Sequence, residues 1–240
     1  MITRRTACVN NSVRSGAHQA FDCEHAIYGI CSVSGFAQIR PLRENRGAVT
    51  ATDPFANGLP RLESERLRLR SLAARDAAEV FELYADRDAV RFGYAPKMAR
   101  LDDALHVVEE TIALARDRTL FHFGVADREH DRIIGHATLF KWDQEHRRAE
   151  VGYSIRRDRW GLGLGSEAVS TLIGFGFQRL GLRRIEADAD PRNVASIRLL
   201  EKLGFVREGY MRERWEFDGE IQDAVCFGLL RSEWRGDTNR

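Results

Sequence analysis

Arg159-Trp160-Gly161-Leu162-Gly163-Leu164-Gly165-Ser166-Glu167-Ala168 is the stretch on which the fold turns. A strand-like segment precedes it and a helical one, reaching about Leu180, follows, so the backbone N–H groups of the turn gather at a helix N-terminus and face any anion placed there. Glycines at 161, 163 and 165 let the backbone take positive φ and come close to a pyrophosphate. A plain tight turn is the alternative. No Gly-Lys-Ser/Thr follows, which excludes a P-loop. A dinucleotide fingerprint would want its third glycine where Ser166 stands and an acid at Glu186 or Asp188, and it would follow the first strand of a parallel sheet.

What precedes the loop is instead an antiparallel meander. Phe121 to Ala126, Ile133 to Trp142 and Ala149 to Ile155 are strand-like runs, separated by the polar turns Asp127-Arg128-Glu129-His130-Asp131 and Asp143-Gln144-Glu145-His146. Further upstream, Arg66-Leu67-Arg68-Leu69-Arg70 alternates as a half-buried strand, Asp76 is placed to cap a helix through Tyr84, and Leu101 to Ala115 repeats the helical rhythm. Downstream come a strand at Arg184 to Ala189, a helix at Ala195 to Leu203, and strands at Phe205 to Phe217 and Glu220 to Leu230. The fold class is α/β, a mixed and mostly antiparallel sheet with helices on its faces.

The chain has 240 residues, 43% of them apolar, and a formal net charge of +1. That balance gives no field to hold nucleic acid. No apolar run approaches the roughly 20 residues of a membrane span, and a soluble, cytoplasmic protein is expected, as a monomer or homodimer. Residues 1–60 read as a poorly ordered extension or linker, with the short run Ala26 to Val33 able to form a strand and Arg4, Arg5 and Arg14 faintly like a transit peptide. The folded domain is expected at 62–235, with 236–240 as a tail. Cysteines at 8, 23, 31 and 226 lack metal-site spacing, so reduced thiols are expected rather than a site built with His18 and His25.

These residues resemble the GCN5-related N-acetyltransferases (GNAT), and most closely the branch that acetylates the N-termini of ribosomal proteins. The family's coenzyme loop, Gln/Arg-x-x-Gly-x-Gly/Ala, falls on Trp160 to Gly165, with Trp160 in first place. The branch's Asn-x-x-Ser motif ending in Gly-Phe falls on Asn193, Ser196, Gly204 and Phe205. Glu65 to Arg70, Glu150-Val151-Gly152-Tyr153 and Gly228 to Trp234 are also similar to that branch. The resemblance implies a sheet whose fourth and fifth strands splay to admit the pantetheine arm of acetyl-coenzyme A. It places backbone groups of Ser154, Ile155 and Arg156 along the arm, Leu162, Gly163, Leu164, Gly165 and Ser166 on the pyrophosphate, and Asn193 opposite. Arg156, Arg157 or Arg159 would meet the ribose phosphate, unless they form a solvated basic turn.

Direct transfer needs a base for the amine, an acid for the leaving sulfur and a donor for the oxyanion, with no metal. The resemblance assigns Ser196 to the sulfur, with Tyr153 and Tyr210 as weaker candidates. Glu150 shares a strand face with Gly152 and Ser154 and is a candidate base. The branch's glutamate on the sixth strand is replaced here by Trp215, flanked by Glu213 and Glu216, which are further candidates. A protein N-terminal α-amine is the leading acceptor and a small-molecule amine the next; Arg91, Tyr94 and Lys97 are placed to line its groove. The rivals from other classes are a non-catalytic acyl-coenzyme A binding module and a nucleotide-dependent oxidoreductase built on a parallel sheet.

Overall fold

The computed structural model describes residues 58–93, 98–116, 120–217 and 219–236. Expectations for the first 57 residues, including the Ala26 to Val33 strand and three of the four cysteines, lie outside them, as do Tyr94, Lys97 and the last four residues. In chain order the elements are β1 (Leu62–Glu63), β2 (Leu67–Arg70), α1 (Ala77–Ala85), α2 (Arg87–Val90), α3 (Leu101–Arg116), β3 (Phe121–Asp127), β4 (Ile133–Asp143), β5 (Arg148–Ile155), α4 (Leu164–Gln178), β6 (Arg184–Ala189), α5 (Val194–Lys202), β7 (Val206–Phe217) and β8 (Glu220–Leu230). The eight strands form one sheet in the order β1-β2-β3-β4-β5-β6-β8-β7.

Successive side chains along the central strands point to opposite faces of the sheet. Leu67, Leu69, Phe121, Phe123, Val125, Ala137, Leu139 and Val151 point to one face and form the main core with Val169, Leu172, Ile173 and Phe177 of α4. The opposite face packs Ala126 and Ile133 against Ala77, Val80, Tyr84, Ala104, Val107 and Val108 of α1 and α3. Helices thus cover both faces, which satisfies the apolar stripe on each. Among the described residues no helix is long and apolar enough to cross a membrane.

Asp76 does not cap α1 with its side chain. Its carboxylate takes both terminal nitrogens of the buried Arg70, at 2.7 and 2.9 Å, and the N–H of Ala73 at 2.8 Å. A bidentate, charge-assisted pair outcompetes a single capping bond, so the residue ties β2 to the helix entrance instead.

The parallel sheet that an oxidoreductase would need is absent from this order: only β5 and β6 run parallel among the described strands. Their register covers Arg148↔Arg184, Ala149↔Ile185 and Glu150↔Glu186 and then stops. Beyond it β5 stays paired with β4 as far as Gly135↔Ile155, and β6 with β8 as far as Ala189↔Val225. Each strand keeps its outer ladder, so the two can diverge without losing hydrogen bonds on that side. The sheet splits there into a V.

Candidate active site

A cleft of about 770 Å³ runs through the V, bounded by the glycine loop and α5 on one side and by Tyr84, Phe92, His136 and Trp215 on the other. The backbone groups that face it are set by strand parity. Arg156 donates its N–H to Ile134 across the β4 ladder, at 2.8 Å. In an antiparallel ladder alternate residues bond to the same neighbour, so Ser154, opposite His136, is turned toward β4 as well. Tyr153 and Ile155 therefore turn their backbone groups into the V. Of the three residues expected along the pantetheine arm, Ile155 turns its backbone groups into the V, as Tyr153 does beside it, while those of Ser154 and Arg156 face β4. The Ile155 carbonyl already accepts the Trp160 indole N–H at 2.6 Å, which pins the start of the glycine loop to the strand end.

The loop closes into α4 earlier than the sequence pattern suggested. Gly163 is the N-cap, in the left-handed region at φ 78°, and Leu164, Gly165 and Ser166 form the first helical turn. Gly161 is also left-handed, at φ 75°. Gly161, Gly163, Leu164, Gly165 and Ser166 all line the cleft, whereas the Leu162 side chain is exposed away from it. Of the three arginines before the loop, Arg159 lines the cleft; Arg156 pairs with Glu82 at 2.7 Å and Arg157 with Asp88 at 2.5 Å, both on the α1–α2 side.

On the same side as the glycine loop Asn193 caps α5, its side-chain oxygen accepting the Ser196 N–H at 3.1 Å. The cap leaves the Asn193 amide N–H₂ to serve a ligand, and it frees Ser196 from any capping duty. Ser196 Oγ instead lies 2.8 Å from the Tyr153 hydroxyl. Tyr153 is partly buried, and that burial pushes its phenol up to about 12, against a smaller lowering by Ser196. It is protonated at neutral pH and can deliver a proton through Ser196. Nothing local in the sequence signals this partner of Tyr153, which lies 43 residues away.

The remaining chemistry lies on the α1 to α3 face. Glu150 binds Lys141 through both carboxylate oxygens, at 2.8 and 2.9 Å. Burial raises its carboxyl above the usual range, partly opposed by Lys141, and reinforced by Asp188 and Glu186. Lys141 is aimed inward by a bulge between Phe140 and Asp143 that gives it φ 50°, and its ammonium also lies 5.2 Å from the Trp215 ring centre. His136 sits 3.2 Å from the Tyr84 hydroxyl, and burial pushes it down to about 4, so it is neutral. Glu213 and Glu216 are not brought to this site. Trp215 pairs with the buried Gln222 and faces the cleft, while Glu216 pairs with the exposed Ile221 on the far side. Glu213, at φ 52° in the bulge before Trp215, donates its backbone N–H to Asp223 and does not itself line the cleft. Tyr210 also donates to Asp223 and does not line the cleft. Cys226, beside Asp188 on β8, has its thiol pushed up to about 11 by burial and then by Asp188, so it is not poised as a nucleophile.

A family model for the acetyltransferase (GNAT) domain matches residues 66–206. The uncharacterized N-acetyltransferase p20 of Bacillus licheniformis is 34% identical over 175 residues, covering 73% of this chain and 98% of its own. The [ribosomal protein uS5]-alanine N-acetyltransferase of Escherichia coli (strain K12) is 29% identical over 182 residues, 72% of this chain and 92% of its own. For fold alone, spermidine N-acetyltransferase from Vibrio cholerae, in complex with CoA and spermine, superposes with a TM-score of 0.62 at 24% identity, over 70% of this chain and 97% of that one. The chain belongs to the GNAT family and is an acetyl-coenzyme A dependent N-acetyltransferase.

Proposed function

We propose that the enzyme transfers acetyl directly to the α-amine of a protein N-terminus, which reaches the V from the α1 to α3 face while the coenzyme lies along the α4–α5 side. The observation that carries this reading is that one continuous cleft joins the Tyr153–Ser196 pair to Glu150. The amine nitrogen attacks the thioester carbon, and its proton passes to Glu150 directly or through water. The backbone N–H of Tyr153 or Ile155 steadies the oxyanion. The carbon–sulfur bond breaks, and the thiolate takes a proton from Ser196, resupplied by Tyr153. The uS5-alanine relative supports the α-amine over other acceptors. A polyamine is the second reading, because Asp188, Asp190 and Asp223 line the cleft with Trp215 and Phe217, an acidic and aromatic wall suited to extended cations.

Thiol release from acetyl-coenzyme A with N-terminal peptides, the same peptides with blocked α-amines, and spermidine separates the two readings. Turnover confined to free α-amines is expected; turnover with spermidine alone overturns the first. The role of Glu150 has its own readout. Glu150→Gln should lower kcat by about a hundredfold. Lys141→Met removes the interaction that lowers the Glu150 carboxyl, so the acidic limb of the pH–rate profile should move to higher pH. An acidic limb unmoved in Lys141→Met would take Glu150 out of the proton path.

A further inference from the structure

The Glu65-Arg66-Leu67 opening has no part in the chemistry so far, yet Arg66 reaches under the glycine loop from nearly one hundred residues away. Its Nη1 donates to the Leu162 carbonyl at 3.0 Å. Its Nε donates to Glu167 Oε2 at 2.7 Å, and its backbone N–H to Glu167 Oε1 at 2.7 Å, where the Ser64 hydroxyl also donates at 2.7 Å. Glu167 in turn closes the first turn of α4, its N–H donating to Gly163 at 3.1 Å. The Glu167 side chain is 10% exposed, and although burial alone would raise its carboxyl, the Arg66 N–H, Ser64 and the Arg66 guanidinium together hold it below the usual range. It is an anion at neutral pH, permanently engaged.

A trans peptide points its C=O and N–H in opposite directions. With the Leu162 carbonyl drawn toward Arg66, the N–H of the same peptide, that of Gly163, is turned away from Arg66 and toward the cleft that Gly163 lines. Arg66 Nη2 lies 3.6 Å from where a Gly163 Cβ would be, directly beneath that peptide. A peptide free to flip could present its carbonyl oxygen to an anion, and in that orientation the site would repel what it should hold. We infer that Arg66 is a positioning residue for the coenzyme: by holding the Leu162 carbonyl and Glu167 together, it fixes the Leu162–Gly163 peptide with its N–H aimed at the pyrophosphate. Its charge is neutralised by Glu167, so orientation rather than attraction is its contribution. The inference rests on the glycine loop being the pyrophosphate cradle.

The test compares acetyl-coenzyme A with acetylpantetheine, which has the same thioester and arm but no pyrophosphate. In Arg66→Ala the ratio of kcat/KM for acetyl-coenzyme A to that for acetylpantetheine should fall about 10- to 100-fold, the worth of one charge-assisted amide–phosphate bond. Arg66→Lys, which keeps the charge but cannot bridge both partners, should recover only part of it. Glu167→Gln gives the sign: a charge-only role predicts tighter coenzyme binding once an anion leaves the helix N-terminus, whereas positioning predicts weaker binding because Arg66 loses its anchor. An equal loss for both donors in Arg66→Ala, or tighter binding in Glu167→Gln, overturns the assignment. Gly163→Val is the control for the cradle itself: if it too leaves coenzyme affinity unchanged, the loop reading fails, and if it alone abolishes binding, only the role of Arg66 does.

Discussion

Gly163→Val should weaken binding of coenzyme A by at least about a hundredfold in calorimetry, while the protein stays folded. Gly163 has φ 78°, a region a β-branched residue occupies only at a cost on the order of 1 to 2 kcal/mol. Inside the protein a Cβ here would meet nothing closer than Arg66 Nη2 at 3.6 Å, an ordinary contact, so the packing of α4 against the sheet is not disturbed. The disturbance falls on the ligand side. Rotating the backbone toward negative φ withdraws an N–H from the anion, and branching at Cβ raises the surface that the pyrophosphate must approach; one or two charge-assisted bonds at about 1.5 to 3 kcal/mol each account for the factor. Gly161 offers an internal comparison. It is equally left-handed and has nothing within 4 Å of its Cβ position, so Gly161→Asn, a residue that tolerates that conformation, should bind nearly as the wild type does. Undiminished affinity in Gly163→Val would remove the phosphate from this loop.

The loop was legible in the sequence because its constraint is local: three glycines at a strand-to-helix junction state a backbone conformation directly. The meander was legible for a similar reason, since alternation and polar turns are properties of adjacent residues. Which strand edge carries the free backbone groups was not. Ser154 and Tyr153 differ by one step, and only the β4 register, fixed by pairings such as Thr138↔Gly152, says which of them faces the V. The same limit explains Glu213 and Glu216. Counting by twos along β7 fails at the register shift between Met211 and Trp215, where the positive φ of Glu213 marks a bulge that sequence alternation cannot reveal. Glu150 escaped this fate because no irregularity separates it from Gly152 and Ser154. Lys141 could not be foreseen for the opposite reason: a bulge turns it toward Glu150 from a position that simple alternation would assign to the other face.

Tyr153→Phe and Ser196→Ala should each lower kcat by about a hundredfold to a thousandfold, the range of a single general acid, with little change in KM for the acetyl donor. The double variant should lose scarcely more than either alone, because the two hydroxyls, 2.8 Å apart, act as one relay rather than as separate donors. Two independent contacts would instead multiply their losses. The direction of the proton is fixed by the environment of Tyr153: with its phenol pushed up to about 12 by burial, it is protonated across the working range and adds no descending limb to the pH–rate profile below that value. It can serve as an acid and not as the base that receives the amine's proton, which leaves that task to the opposite face of the sheet. Leaving-group chemistry then separates an acid from a residue that only shapes the cleft. An acyl donor whose thiol is more acidic departs as a thiolate without help, so such a donor should restore most of the rate in both variants. If the deficit is the same for every leaving group, the pair orients the thioester and does not protonate it, and the thiolate must take its proton from water admitted where β5 and β6 part.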